Sequence, residues 1–254
     1  MKKCIIILLF LLPIFACSKK VETRPGQLKP GSPEYIMNQG LYYLNEGNLH
    51  MAESKFQQAL KKKPNLEGAL NGMGLIHLYR REFDQAASYF RRILSSNPQS
   101  ADAHNSMGLI YTEQGKYDAA KEHLLIAANT PRYKTPENAY VNLATLELKH
   151  NNISSAKRYI QKAQEANHRF SPVWNVMGII AESEKDYAQA LRFFKKAQSL
   201  LTHDDVNLLI NVGRVYGKLG DKNKALDTLE KALTLAQAES LKNHIRQLIK
   251  KFSE

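Results

Sequence analysis

Residues 33–99 carry one pattern twice. Gly40 and Gly74 stand 34 residues apart, as do Ala52 and Ala86, Phe56 and Phe90, and Pro64 and Pro98. A fixed period of this length means stacked copies of one supersecondary unit, none of which can bury its apolar face alone. Numbering each copy from 1, a small residue falls at position 8, Ala at position 20 and a large apolar residue at position 24. The small residues mark where paired helices approach closely, since bulk there would force the axes apart.

This spacing resembles the tetratricopeptide repeat, which implies an all-α fold. Six copies would stack as a right-handed superhelical solenoid with a C-terminal capping helix. The copies fall at residues 33–66, 67–100, 101–134, 137–170, 171–204 and 206–239. Position 8 is Gly in every copy but the fourth, which has Ala144 and the weakest pattern. Ser32 followed by Pro33 reads as an N-cap and first helical residue. Gly47 and Gly115 supply the left-handed turns between paired helices. A joint at 135–136 interrupts the period, and two prolines, Pro131 and Pro136, forbid a continuous helix there. Residues 240–254 place Leu241, Ile245, Leu248, Ile249 and Phe252 on one helical face, fit to cover the open end of the array or else to meet a partner.

Ahead of the repeats, Lys2 and Lys3 precede an apolar run from Cys4 to Phe15. The run is shorter than the roughly 20 residues a spanning helix needs, so residues 1–16 read as a signal peptide. It ends Leu12-Pro13-Ile14-Phe15-Ala16-Cys17, which resembles a bacterial lipobox, with Phe15 a departure where a small residue is commoner. The resemblance implies that Cys17 is the lipidated mature N-terminus. Ser18 in place of Asp implies the outer membrane, with the repeats facing the periplasm. The alternative is an ordinary signal peptide cleaved near Ala16, leaving a free thiol. Residues 17–32, rich in Pro, Gly and charge, form a flexible tether.

The formal net charge is +12, or +10 without Lys2 and Lys3, and it is spread through every repeat. No nucleic-acid-reading motif accompanies it, so a partner of opposite sign or an anionic envelope surface fits better than nucleic acid. Both cysteines, Cys4 and Cys17, precede the repeats, which removes disulfide, zinc-thiolate and thiol-nucleophile chemistry from the folded part. No phosphate loop, metalloprotease motif or nucleophile elbow is present. His77 and His104 occupy core positions and read as packed neutral side chains. The chain reads as a non-enzyme with no catalytic or metal site, no cofactor and no small-molecule substrate.

In tetratricopeptide arrays the concave face is lined by positions 2, 5, 9, 12 and 13 of each first helix. Here position 5 carries Asn71, Asn105 and Asn175, and the next position carries Asn142 and Asn211. An asparagine amide both donates and accepts, so such a row could hold the backbone of an extended peptide. The adjoining row of Leu41, Leu75, Leu109, Thr145 and Ile179 would take its side chains. Alternatively the asparagines satisfy neighbouring helices. Arg214 and Lys218 are the only basic groove candidates besides an isolated Lys149. A chaperone-docking carboxylate clamp is therefore disfavoured.

The segment from Gly115 through Thr130-Pro131-Arg132-Tyr133-Lys134-Thr135-Pro136 to Asn142, together with the lipobox and the six repeats, resembles type IV pilus biogenesis lipoproteins of the PilF, PilW and Tgl type. That resemblance implies a pilotin: an outer-membrane lipoprotein whose partner is the secretin subunit and which promotes secretin localisation and multimerisation. It places the secretin contact on the early repeats, from Tyr35 to Tyr79. A periplasmic scaffold recruiting peptidoglycan hydrolases or other envelope proteins is the other reading.

Overall fold

The computed structural model describes residues 28–253. The signal peptide, Cys17 and the tether as far as residue 27 lie outside the described residues. The described chain contains thirteen helices and no strand. They divide between two compact units that part at residues 142 and 143. The first unit holds α1 (Pro33–Asn45), α2 (Leu49–Lys62), α3 (Glu67–Tyr79), α4 (Phe83–Ser96), α5 (Ala101–Glu113), α6 (Tyr117–Asn129) and the start of α7 (Pro136–Lys149). The second holds the rest of α7, then α8 (Ile153–Ala166), α9 (Ser171–Ser183), α10 (Tyr187–Ser199), α11 (Val206–Lys218), α12 (Lys222–Leu235) and α13 (Glu239–Ser253).

Local chemistry sets many of the ends. Ser32 caps α1 by accepting from the Tyr35 amide at 3.2 Å, and Pro33 opens the helix without an N–H to satisfy. Asn48, Asp186, Asp205 and Asp221 cap α2, α10, α11 and α12 in the same way. Gly47, Gly115 and Gly220 turn the chain at φ of 73°, 73° and 84°. Arg81, Asn151 and Lys185 make the matching turns at φ of 61°, 60° and 66° without glycine, each at some conformational cost. Residues 130–135 join α6 to α7 around a left-handed Arg132.

In the first unit consecutive helices from α1 to α6 pack on one another, and α3 also lies beside α1 and α5. Phe56 and Phe90 are fully buried at the centre of its core. A Cβ on Gly40 would come within 2.6 Å of the Phe56 ring, and one on Gly74 within 2.6 Å of the Phe90 ring. The second unit repeats the device with Gly178 under Phe194, and with Gly213 under Leu229 at 2.7 Å. Its end is covered by α13. Ile245 and Phe252 are buried against Leu209, Ala225, Leu229 and Ala232, and the Phe252 ring fills the space where Gly217 lacks a side chain. That burial, about 1.5–3 kcal/mol for each large apolar side chain, is what fixes the amphipathic face of α13 as a cap.

Candidate peptide-binding face

The first helices of successive repeats lie side by side, α1, α3 and α5 in one unit and α9 and α11 in the other. Four of the five asparagines expected on this face bond in pairs. Asn142 donates from Nδ2 to Asn105 Oδ1 at 2.8 Å, and these residues are only 6% and 5% exposed. Asn211 donates likewise to Asn175 Oδ1 at 3.0 Å, with both side chains half-buried. A buried amide without a partner is costly, so each pair ties neighbouring helices in register while hiding its polarity. Asn71, half-buried on α3, stands apart from both pairs. The row therefore divides into a sealed pair, a half-open pair and a single residue.

The apolar row is uneven. Leu75 is buried, whereas Leu41 and Leu109 are half-buried against the same core. Ile179 is half-buried in the second unit. Thr145 keeps a buried Oγ1 with no partner. On the same helices, Tyr42 of α1 and Tyr79 of α3 are 61% and 48% exposed, the most open large hydrophobic side chains of the described residues.

Arg214 is not open to a ligand carboxylate. Its Nε and Nη2 donate to Glu182 at 2.7 and 2.6 Å, and Nη2 also donates to Asn211 Oδ1 at 2.9 Å. A forked guanidinium–carboxylate pair of this kind neutralises the arginine's charge and fixes its orientation. Glu182, Arg214, Asn211 and Asn175 thus form one continuous polar strip along α9 and α11. The signal for it was an acid at position 12 of one repeat facing a base at position 9 of the next, 32 residues on. Lys218 remains exposed at the end of α11. His244 on α13 is held below its ordinary range, first by burial and then by the Arg214 charge.

The two core histidines differ. His104 is buried, with Nδ1 2.9 Å from His123 Nδ1 and Nε2 3.0 Å from the Pro98 carbonyl oxygen. His77 is half-buried, stacks on Tyr89 and meets Glu82 at 2.5 Å. Among the described residues no group of three or more His, Cys, Asp or Glu is placed to hold a metal ion. No described helix is long and apolar enough to cross a membrane.

Two models of the tetratricopeptide repeat match residues 71–133 and 170–238, together just over half of the sequence. The chain belongs to the tetratricopeptide repeat family. Tetratricopeptide repeat proteins mediate protein–protein interaction, and their scaffold is typically non-catalytic. Among solved structures the chain is similar to PilF of Pseudomonas aeruginosa at 21% identity and a TM-score of 0.63, covering 85% of this chain and 96% of that one. It is similar to PilW, a widely conserved type IV pilus biogenesis factor, at 21% identity and a TM-score of 0.67, covering 84% and 98%. A tetratricopeptide repeat protein from Parabacteroides merdae aligns at 18% identity and 0.69, covering 91% and 87%. At these identities the likeness shows the fold. No curated protein sequence matches the chain.

Proposed function

We propose that this tetratricopeptide repeat protein is a lipid-anchored type IV pilus assembly factor of the outer membrane, facing the periplasm. In this reading it binds a segment of the secretin subunit and promotes secretin localisation and multimerisation. The observation that carries it is the fold likeness to PilF and PilW across nearly their whole length. The lipobox-like run ending at Cys17 supplies the address.

The groove in this reading runs over α1, α3 and α5. Leu41, Leu75 and Leu109 offer an apolar floor and Asn71 a polar contact, with the exposed Tyr42 and Tyr79 on the same helices. The second unit carries its own stretch of this face, with Ile179 and the half-buried Asn175–Asn211 pair, whereas in the first unit Asn105 and Asn142 act from beneath by fixing the helices. On the second unit's face contact is by shape and apolar surface more than by charge, because Arg214 is already paired.

The test compares heat- and detergent-resistant secretin multimers in cells lacking the protein, complemented with wild type or with Cys17→Ser. Multimers should vanish in the deletion and return fully at the outer membrane only with wild type. Normal multimers in the deletion would sink the reading and turn attention to a cell-wall scaffold.

A further inference from the structure

The first unit is polarised in charge. Lys63 Nζ lies 2.8 Å from Glu34 Oε1, so the end of α2 sits beside the start of α1, where the chain enters the fold. Arg92 Nη2 donates to the Pro64 carbonyl oxygen at 2.8 Å, which brings the outer side of α4 to the same edge. By position in these elements the edge carries Lys29 in the entering segment, Lys61, Lys62 and Lys63 at the end of α2, and Arg91 and Arg92 in the C-terminal half of α4. Only Lys63 of the six is paired with an acid among the described residues, and Lys29, Lys61, Lys62, Arg91 and Arg92 are all exposed. The acids here are first-turn residues, and Glu67 is already bonded to Ser100 and Asn97. At the opposite helix ends Glu46, Glu82, Asp84, Glu113 and Asp118 outnumber the bases, and Arg80 and Arg81 are neutralised by Glu53 and Glu113.

Helix polarity alone accounts for part of this pattern. Lys61 and Lys62 in the last turn of α2 complement its C-terminal dipole. Arg91 and Arg92 do not, because α4 has no base in its last turn and they lie earlier in the helix.

We propose that this basic edge docks on anionic lipid headgroups. The proposal rests on the reading of Cys17 as lipidated. The described chain enters the fold at this edge, and the sequence ahead of it carries Lys19, Lys20 and Arg24 against a single acid, Glu22. Fully extended, the 15 residues between Cys17 and Pro33 reach about 50 Å. That exceeds the Debye length of about 8 Å at physiological salt, so a tether of this length does not by itself hold the repeats in electrostatic contact. It does hold them at high local concentration over the bilayer, where weak charge attraction suffices to seat the edge. Each cation near an anionic surface strengthens binding roughly fivefold. Anchor and charge thus act on the same side of the unit.

The experiment uses the chain from Ser18 onward, which retains every described residue, with vesicles of phosphatidylglycerol and phosphatidylethanolamine. Pure phosphatidylcholine vesicles serve as the neutral comparison. Wild type should sediment with the anionic vesicles only, and lose binding as salt rises to 1 M. Lys61→Gln, Lys62→Gln and Arg91→Gln together should weaken binding roughly a hundredfold. A control with the same net charge, Lys218→Gln, Lys222→Gln and Lys250→Gln, should bind within a few-fold of wild type, with circular dichroism verifying the fold of both. No vesicle binding, an equal loss in the control, or binding to heparin without vesicle binding would each overturn the proposal. Palmitate labelling of cells separates it from its premise: labelling that requires Cys17, without vesicle binding, leaves the anchor and removes the basic dock. Vesicle binding without labelling does the reverse.

Discussion

A carbonyl oxygen can only accept, so the nitrogen of His104 that meets Pro98 must be a protonated Nε2. In the neutral ring Nδ1 is then an acceptor, and the proton between the two Nδ1 atoms, 2.9 Å apart, belongs to His123. The pair is satisfied with both rings neutral. Burial, and secondarily the proximity of His104, holds His123 below its ordinary value of 6.5, against a smaller opposing pull from Glu122. With the folded value below the unfolded one, the unfolded chain binds more protons between them. The stabilisation is therefore complete above pH 6.5, and it declines as pH falls from there toward the folded value. Urea midpoints should be lower at pH 5.5 than at pH 7.5. His123→Phe keeps a ring but strands the acceptor on His104, costing about 1–3 kcal/mol at pH 7.5. It should also narrow the difference between the two pH values, leaving the part that His244, shifted in the same direction, retains. An unchanged pH difference in the variant would refute the role given to His123.

At the scale of the helix pair, positions 8 and 24 are one decision. Gly40, Gly74 and Gly178 face Phe rings, whereas Gly108 and Gly213 face Leu124 and Leu229. The fourth repeat puts Ala144 and Ile160 at these positions, both buried. Gly178→Ala would drive a Cβ into the Phe194 ring. Overpacking of about 1–3 kcal/mol is offset by about 1 kcal/mol of better helix propensity, for a net loss of up to about 2 kcal/mol. Adding Phe194→Ile, which copies the fourth repeat, should recover at least half of that loss in urea denaturation. Additive losses would mean that the two positions are independent. This level was legible in the sequence, because a residue too small for its neighbours recurs at a fixed interval and the fold follows from it. The site was less so. The Asn105–Asn142 and Arg214–Glu182 bonds join residues 37 and 32 apart, and no helical period pairs them. Their geometry decides that one asparagine pair is sealed and that the arginine is occupied. Arg81, Asn151 and Lys185 were illegible for a different reason: a left-handed turn is read from glycine, and these turns have none.

Across the whole chain, an array of this kind distributes stability through neighbours rather than through one centre. Within the second unit α13 packs on α12 and α11, and α11 on α10, α12 and α9. Its core likewise breaks into a cluster around Ile245 and Phe252 and another around Phe194. Nearest-neighbour coupling means that damage at the cap should be felt locally. Phe252→Ala opens the space over Gly217 and should cost about 3–5 kcal/mol of local stability. In hydrogen exchange, amides of α11, α12 and α13 should lose protection by a factor of a hundred or more, while those of α1 to α4 keep theirs. Uniform loss along the chain would show that the repeats unfold as one cooperative body. The outcome bears on function as well, because a groove over α1, α3 and α5 that stays folded while the far end frays can hold its segment throughout.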